Sequence, residues 1–206
     1  MTVHTYFELL DANDGTEELL KLFIRSWERQ GWQVRVLTRS DVVHHPDYEQ
    51  YLAAISRIPT ANRPDFEIIC FLRHLAMMHV GGGLMVDMDV INYGFTPDML
   101  PRGRDYTLQR GSGTFGSQYF YGWLCYEFAH WERTRVPPWT IKGVDHWSDM
   151  VFLTAAVPTI EVCLTCGQGD WQTMPLVHYS NGSLYTPEEM LNRLDRAERI
   201  LAKRPL

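Results

Sequence analysis

The order of extended and helical periods in the first half of the chain limits the choice of fold more than any other feature. Residues 2–9 alternate loosely, and apolar residues in 17–30 recur at a helical spacing. Gly31 is a suitable end for that helix. Residues 33–38 have the pattern of a second strand, and 48–56 that of a short helix. Successive β-α-β-α units favour an α/β fold with a largely parallel sheet.

Residues 65–80 are the most apolar helical segment of the chain. A helix that is apolar nearly all round is buried. Arg73 lies inside this segment, and an unpaired buried charge is very costly. We therefore expect Arg73 either to pair with an acid in the core or to reach a polar cleft.

Three glycines, 81–83, lead into a short apolar run that ends in Asp87 and Asp89. If 84–86 form a strand, both carboxylates lie on one side of it, roughly 6–7 Å apart at Cα. They would then lie at the carboxyl edge of the sheet, where open α/β sheets bind ligands. Oxygen ligands favour Mg²⁺ or Mn²⁺, and such a cation can hold a diphosphate. By itself, the D-x-D tripeptide is equally typical of a solvated turn.

Composition excludes several classes of protein. A chain of 206 residues with 45% apolar and 21% charged residues suits one globular domain. The net charge of −6 gives no basic surface for broad nucleic-acid binding. No apolar run approaches a membrane span, and the start of the chain lacks a secretion-signal pattern, so we expect a cytoplasmic protein without a transmembrane segment.

The second half of the chain has weaker patterns. Residues 111–122 are small and aromatic-rich, as in a loop beside a site. Thr186-Pro187-Glu188-Glu189 is typical of a helix start, and that helix is predicted to run to about Lys203. The other predicted elements are strands at 106–109, 159–164 and 174–179 and helices at 121–133 and 149–156.

The segment from Phe71 through Gly81-Gly82 to Asp89 resembles the signature of sugar-nucleotide-dependent glycosyltransferases with the GT-A fold. The most similar group is the family whose sugar-binding region contains the D-x-D motif (glycosyltransferase family 32-like). Its pattern is S-D-x-x-R, a G-G pair eight residues after the arginine, then apolar-Tyr-apolar and D-x-D. Here Arg73 stands eight residues before Gly81, and Asp87 and Asp89 take the two metal positions.

Three positions depart from that pattern. Cys70 replaces the family aspartate, Met85 replaces the usual tyrosine, and Gly83 is an extra glycine. The Cys70 departure weakens any claim that a carboxylate at that point holds the donor sugar. The extra glycine allows the register to slip by one residue.

A second resemblance lies near the end of the chain. The run from His178 to Ser183, H-Y-S-N-G-S, is similar to the family's late H-x-x-x-G-S element, with Leu184 in place of the usual Trp. The resemblance implies a loop that closes on the metal and diphosphate. A neutral imidazole of His178 would complete the metal shell, and backbone amides near Gly182 and Ser183 would hold phosphate oxygens.

The resemblance implies one GT-A-like, Rossmann-related α/β domain over 1–206, with a mostly parallel central sheet flanked by helices. Residues 1–95 would be the nucleotide-sugar-binding half that ends in D-x-D, and 96–206 the acceptor-side half with a C-terminal helix. The implied activity is a metal-dependent hexosyltransferase that uses Mn²⁺ or Mg²⁺. It would move a sugar from a UDP- or GDP-linked donor to a hydroxyl of a carbohydrate, lipid-linked or protein acceptor, with retention.

The implied roles follow from that chemistry. A cation on Asp87 and Asp89, with His178, would neutralise the departing diphosphate, and Arg73 would orient the donor sugar or brace the aspartates. An inverting enzyme would instead need a general base, for which Asp145 and Asp149 are candidates, although each also suits an ordinary surface or capping position. The expected catalytic set is Arg73, Asp87, Asp89 and Asp149, and the expected donor-binding set is Arg73, Asp87, His178, Gly182 and Ser183.

Three other functions remain open at this level. A haloacid-dehalogenase-like phosphatase also has D-x-D after an apolar strand, but near the N-terminus and with a later acidic pair, which this chain lacks. A non-catalytic nucleotide-sugar or carbohydrate-binding module derived from a transferase would fit Cys70 and the short length. A purely structural interaction domain would leave the D-x-D unexplained.

Overall fold

Three strands at the centre of the fold run parallel. The computed structural model describes residues 1–10, 15–57, 59–82, 84–99, 148–149, 172–179, 184, 189 and 194–206, and the backbone of 106–110 and 118–122. Strand β1 (Thr2–Tyr6) lies between β2 (Gln33–Leu37) and β3 (Leu84–Val86), parallel to both. The α/β class is therefore confirmed, and the parallel part of the sheet consists of the three strands β2-β1-β3.

Two further strands extend the sheet in the antiparallel sense. Strand β6 (Gln118–Gly122) pairs with β3, and β5 (Tyr106–Arg110) pairs with β6, which gives the order β2-β1-β3-β6-β5. The residues of β6 belong to the segment predicted as a loop, and its last two belong to the helix predicted at 121–133. Both predictions are wrong for 118–122, because aromatic residues suit a strand when a partner such as β3 supplies the hydrogen bonds.

Four α-helices occur in the described residues. They are α1 (Thr16–Glu28), α2 (Tyr48–Ile55), α3 (Pro64–His79) and α4 (Arg196–Lys203). Pro64 begins α3 at a position where its missing N–H costs no hydrogen bond. None of these helices is long and apolar enough to cross a membrane.

Helices cover both faces of the parallel strands. Side chains of β3 alternate, so that Leu84 and Val86 pack with Phe23 and Trp27 of α1. Met85 points to the other face and belongs to the cluster formed mainly by α2 and α3. A strand that is buried on both faces reads as a continuous apolar run, which explains the sequence of β3.

Two glycines end α3 and turn the chain into β3. Gly81 and Gly82 have φ of 87° and 86°, in the left-handed region that other residues rarely adopt. The Gly82 N–H donates to the Met77 carbonyl at 2.8 Å, which closes the end of the helix. The glycines that the sequence shows between the buried helix and the D-x-D strand thus form the turn at these two positions.

The fold contains a second sheet of two strands, of which the sequence patterns predicted only one. Strand β4 (Val90–Asn92) was not predicted, and it pairs antiparallel with β7 (Leu176–His178), which lies within the strand predicted at 174–179. The pairing sets Val90 opposite His178. A three-residue strand carries little periodic signal, so β4 depends on its distant partner.

The last helix is shorter than predicted. Leu194 and Asp195 form a turn, so the helix from Thr186 to Lys203 is not continuous, and α4 begins at Arg196. Asp195 favours a helix start, because aspartate at that end complements the helix dipole, and its carboxylate accepts from Arg199 Nε at 2.7 Å. The predicted start at Thr186, the strand at 159–164 and all of the helix at 149–156 except Asp149 lie outside the described residues.

Candidate active site

The D-x-D motif occupies a turn at the carboxyl end of β3. The Val90 N–H donates to the Asp87 carbonyl at 3.0 Å, and β4 starts immediately afterwards. The expectation that Asp87 and Asp89 lie on one side of an extended strand is therefore wrong. The chain must change direction here, because β4 leaves the large sheet to pair with β7.

Strand β7 brings His178 to the turn. The Tyr179 N–H donates to the Asp89 carbonyl at 2.9 Å, continuing the β4–β7 pairing into the motif. His178 Nε2 lies 3.3 Å from Asp89 Oδ2. The structure thus brings together the D-x-D motif and the late histidine that the sequence singled out.

Arg73 reaches the same turn from α3. The residue is only 8% exposed, and its Nη1 donates to Asp87 Oδ1. Its Nε and Nη2 both donate to Asp149 Oδ2, the former at 3.0 Å. The prediction that a buried Arg73 must be paired is confirmed, and the same guanidinium also contacts the partly exposed Asp87.

Asp149 is a buried partner of α3 rather than an exposed side chain. It is 3% exposed, and His74 Nε2 lies 3.1 Å from the oxygen that accepts from Arg73. A general base must approach the hydroxyl whose proton it removes. Because Asp149 is buried against Arg73, it is better placed to hold the Arg73 guanidinium than to act as a base. Through that guanidinium it also fixes the position of Asp87.

Arg196 is the site residue that the sequence did not indicate. It is the first residue of α4, and its Nη2 donates to Asp89 Oδ2 at 2.7 Å and to the Tyr179 carbonyl at 3.2 Å. Nothing local distinguishes it from Arg199, the other arginine of this helix. Only the path of the chain selects it, 107 residues after Asp89.

The surroundings of Asp87 and Asp89 shift the pKa values of the two carboxylates in opposite directions. Burial disfavours the charge on Asp89, but His178 and then Arg196 hold its pKa below the usual range. Burial raises the pKa of Asp87; Arg73 opposes this shift, and Asp89 adds to it. Burial would lower the pKa of His178, but Asp89 and then Asp87 raise it overall. The pKa values of these two neighbouring carboxylates are thus shifted in opposite directions. A pair of this kind forms a site that favours an added positive charge.

The donor types at the turn fit a hard divalent cation. Asp87 and Asp89 supply oxygens, His178 supplies an imidazole nitrogen, and the Asp87 side chain is 30% exposed. In the described residues, however, no three His, Cys, Asp or Glu side chains form a group that could hold a metal ion as they stand. Arg73 and Arg196 instead neutralise the two carboxylates, so a cation would have to replace at least one of these contacts.

Three of the predicted site residues lie in parts of the chain that the structure does not describe. These are Gly182, Ser183 and Asp145. No family model matches the chain, and no curated protein matches it. Function must therefore be inferred from the residues gathered at the D-x-D turn.

Proposed function

We propose that the protein is a metal-dependent glycosyltransferase that moves a sugar from a nucleoside-diphosphate sugar to a hydroxyl acceptor, with retention. The observation that carries the proposal is the meeting of Arg73, Asp87, Asp89 and His178 at one turn, although 105 residues separate the first from the last. These are the residues that the family resemblance assigns to the donor. A solvated D-x-D turn would not require a buried arginine and a distant histidine.

The position of the turn supports a nucleotide ligand. It follows the carboxyl end of β3, which runs parallel to β1 in the β2-β1-β3 sheet. Open α/β sheets bind ligands outside the carboxyl ends of their strands, and GT-A-like domains use that edge for the donor. We therefore propose the GT-A-like arrangement as the finer description of this fold.

The charges at the site support a requirement for a cation. Asp87, Asp89 and Asp149 carry three negative charges, and Arg73 and Arg196 carry two positive ones. An imidazole must be neutral to bind a metal, and with His178 neutral the site keeps one net negative charge, which disfavours a diphosphate without a cation. A bound divalent cation makes the net charge positive, and it would stabilise the negative charge that develops on the leaving diphosphate.

The chain's own residues then have distinct roles. Asp87 and Asp89, with His178, would hold Mn²⁺ or Mg²⁺. Arg73, fixed by Asp149 and His74, would keep Asp87 oriented, which is a positioning role that limits the reorganisation needed when the ligand binds. Gly182 and Ser183 remain proposed contacts of the diphosphate.

One observation favours a second candidate, a non-catalytic nucleotide-sugar-binding module. Cys70, on α3 three residues before Arg73, stands where the family pattern has an aspartate. A binding module that catalyses no transfer would not depend on a carboxylate at that position. It would bind a nucleotide sugar with Mn²⁺ but produce neither transfer nor slow hydrolysis of the donor.

The decisive experiment is a thermal-shift panel of UDP- and GDP-sugars with and without Mn²⁺. A ligand at 100 times its Kd stabilises the native state by about 2.7 kcal/mol. For a chain of this size that corresponds to a rise in Tm of about 5–10 °C. Asp89→Ala should abolish the shift, and Asp98→Asn, an exposed aspartate beyond β4, should keep it.

Two results would reject the proposal. Either no nucleotide sugar shifts the wild type, or Asp89→Ala retains every shift. Product analysis by mass spectrometry on the donor that binds then separates a transferase from a binding module. Robust Mg²⁺-dependent hydrolysis of a generic phosphate ester would point instead to a phosphatase.

A further inference from the structure

Two positively charged or basic side chains approach the same oxygen of Asp89. His178 Nε2 and Arg196 Nη2 both approach one oxygen, Oδ2 of Asp89, at 3.3 and 2.7 Å. Arg196 Nε is buried and has no hydrogen-bond partner in the part of the chain that the structure describes. A buried donor without an acceptor is costly, so a ligand that brings acceptor oxygens to this nitrogen would be favoured.

The place of Arg196 in α4 does not explain its presence. It is the first residue of an eight-residue helix, where the positive end of the helix dipole disfavours a cation. The helix is anchored elsewhere, by the buried Ile200 and by Arg199, which contacts Asp195 and Glu189. The guanidinium of Arg196 can therefore change partners while these other contacts of α4 remain.

A divalent cation and Arg196 would compete for Asp89. Both are positive, and the guanidinium already occupies the oxygen nearest His178. When the arginine leaves this carboxylate, it needs another anionic acceptor close by. The oxygens of a diphosphate match the planar, forked donors of a guanidinium and accept two hydrogen bonds at once.

We propose that Arg196 is a diphosphate-binding residue that is held on Asp89 in the ligand-free protein. When a divalent cation takes Asp89, Arg196 transfers to the phosphate oxygens of the nucleotide. The C-terminal helix thereby contributes directly to the site that begins at the end of β3. This inference rests on the proposed function, because that function supplies both the cation and the diphosphate.

The test measures two affinities in four proteins. Wild type, Arg196→Gln, Arg196→Lys and the control Lys203→Gln, which removes an exposed positive charge at the far end of α4, are titrated by calorimetry with Mn²⁺ alone. They are then titrated with UDP or GDP, whichever binds the wild type more tightly, at saturating Mn²⁺. Thermal unfolding of each protein establishes that it is folded.

The two affinities should change in opposite directions in Arg196→Gln. Mn²⁺ alone should bind about 3- to 10-fold more tightly, because a neighbouring positive charge is gone. The nucleotide should bind about 10-fold or more weakly, because charge-assisted hydrogen bonds to phosphate are lost. Arg196→Lys should bind Mn²⁺ within about twofold of the wild type and yet bind the nucleotide about 3- to 5-fold more weakly, since it keeps the charge and loses the fork. Lys203→Gln should match the wild type in both titrations.

Each remaining outcome overturns the inference. If Arg196→Gln weakens both affinities or changes neither, Arg196 is only a structural counter-ion of Asp89. If Arg196→Gln does not fold, Arg196→Lys decides, and an unchanged nucleotide affinity refutes the transfer to phosphate. If the wild type binds neither Mn²⁺ nor nucleotide, the proposed function fails, and the inference fails with it.

Discussion

Replacing Asp149 by asparagine should cost the protein about 3 kcal/mol of unfolding free energy. Asp149 is 3% exposed, and its Oδ2 accepts from two nitrogens of Arg73 and lies 3.1 Å from His74 Nε2. Removing one partner of a buried ion pair costs about 3–5 kcal/mol. Arg73 would keep Asp87 as a second partner, so the lower end of the range applies.

The loss is large compared with the total stability of a protein. Typical domains are stable by about 5–15 kcal/mol, and 3 kcal/mol corresponds to about 6–12 °C in Tm for a chain of this size. Urea unfolding followed by tryptophan fluorescence at pH 7 measures the change directly. Lys21→Gln is a matched control, because the Lys21–Glu18 pair is exposed and should leave the midpoint unchanged.

A small effect would refute the reasoning. If Asp149→Asn lowers the free energy of unfolding by less than about 1 kcal/mol, the buried charge of Arg73 is not stabilised by Asp149. A double-mutant cycle with Arg73→Met tests the same pair independently. Its coupling energy should reach about 1.5–3 kcal/mol, and a value near zero would mean that the two side chains contribute separately.

Three further predictions concern the scaffold of the site. Trp27→Phe should lose about 1–3 kcal/mol in urea unfolding, because it removes the 3.0 Å hydrogen bond from Trp27 Nε1 to the buried Val90 carbonyl; an unchanged midpoint would contradict this. Gly81→Ala should cost about 1–2 kcal/mol from its φ of 87° alone, since a Cβ there meets no atom within 4 Å, whereas Gly94→Ala should be nearly neutral; equal effects would be evidence against backbone strain. Burial lowers the pKa of His4, so the unfolded chain takes up its proton first as the pH falls below about 6.5, and stability declines there. His4→Gln should flatten that decline between pH 6.5 and 5, and a decline of equal slope would exclude His4 as its source.

Local sequence periods were enough to predict much of the fold. Helices α1 and α3 begin one residue before the predicted starts, and β3 has the predicted bounds. These segments bury one face or their whole surface, so each has an apolar spacing that can be recognised in its own sequence. The α/β class followed from their order along the chain.

Elements that depend on distant partners could not be predicted in the same way. Strands β6 and β4, which were missed, pair with β3 and β7 across long stretches of chain. Strands of three to five residues carry little periodic signal of their own. The turn at Asp87 has the same origin, because its direction is set by the β4–β7 pairing.

The candidate site shows the same division between local and distant information. The sequence by itself determined that Arg73 needs a counter-ion and that two carboxylates follow an apolar strand, because the cost of burying a charge belongs to the residue. Only the tertiary structure decided that Asp149 pairs with Arg73, 76 residues away, and that Arg196 pairs with Asp89, 107 residues away. A charge can be satisfied by any suitable partner, and the path of the folded chain selects which partner comes within reach.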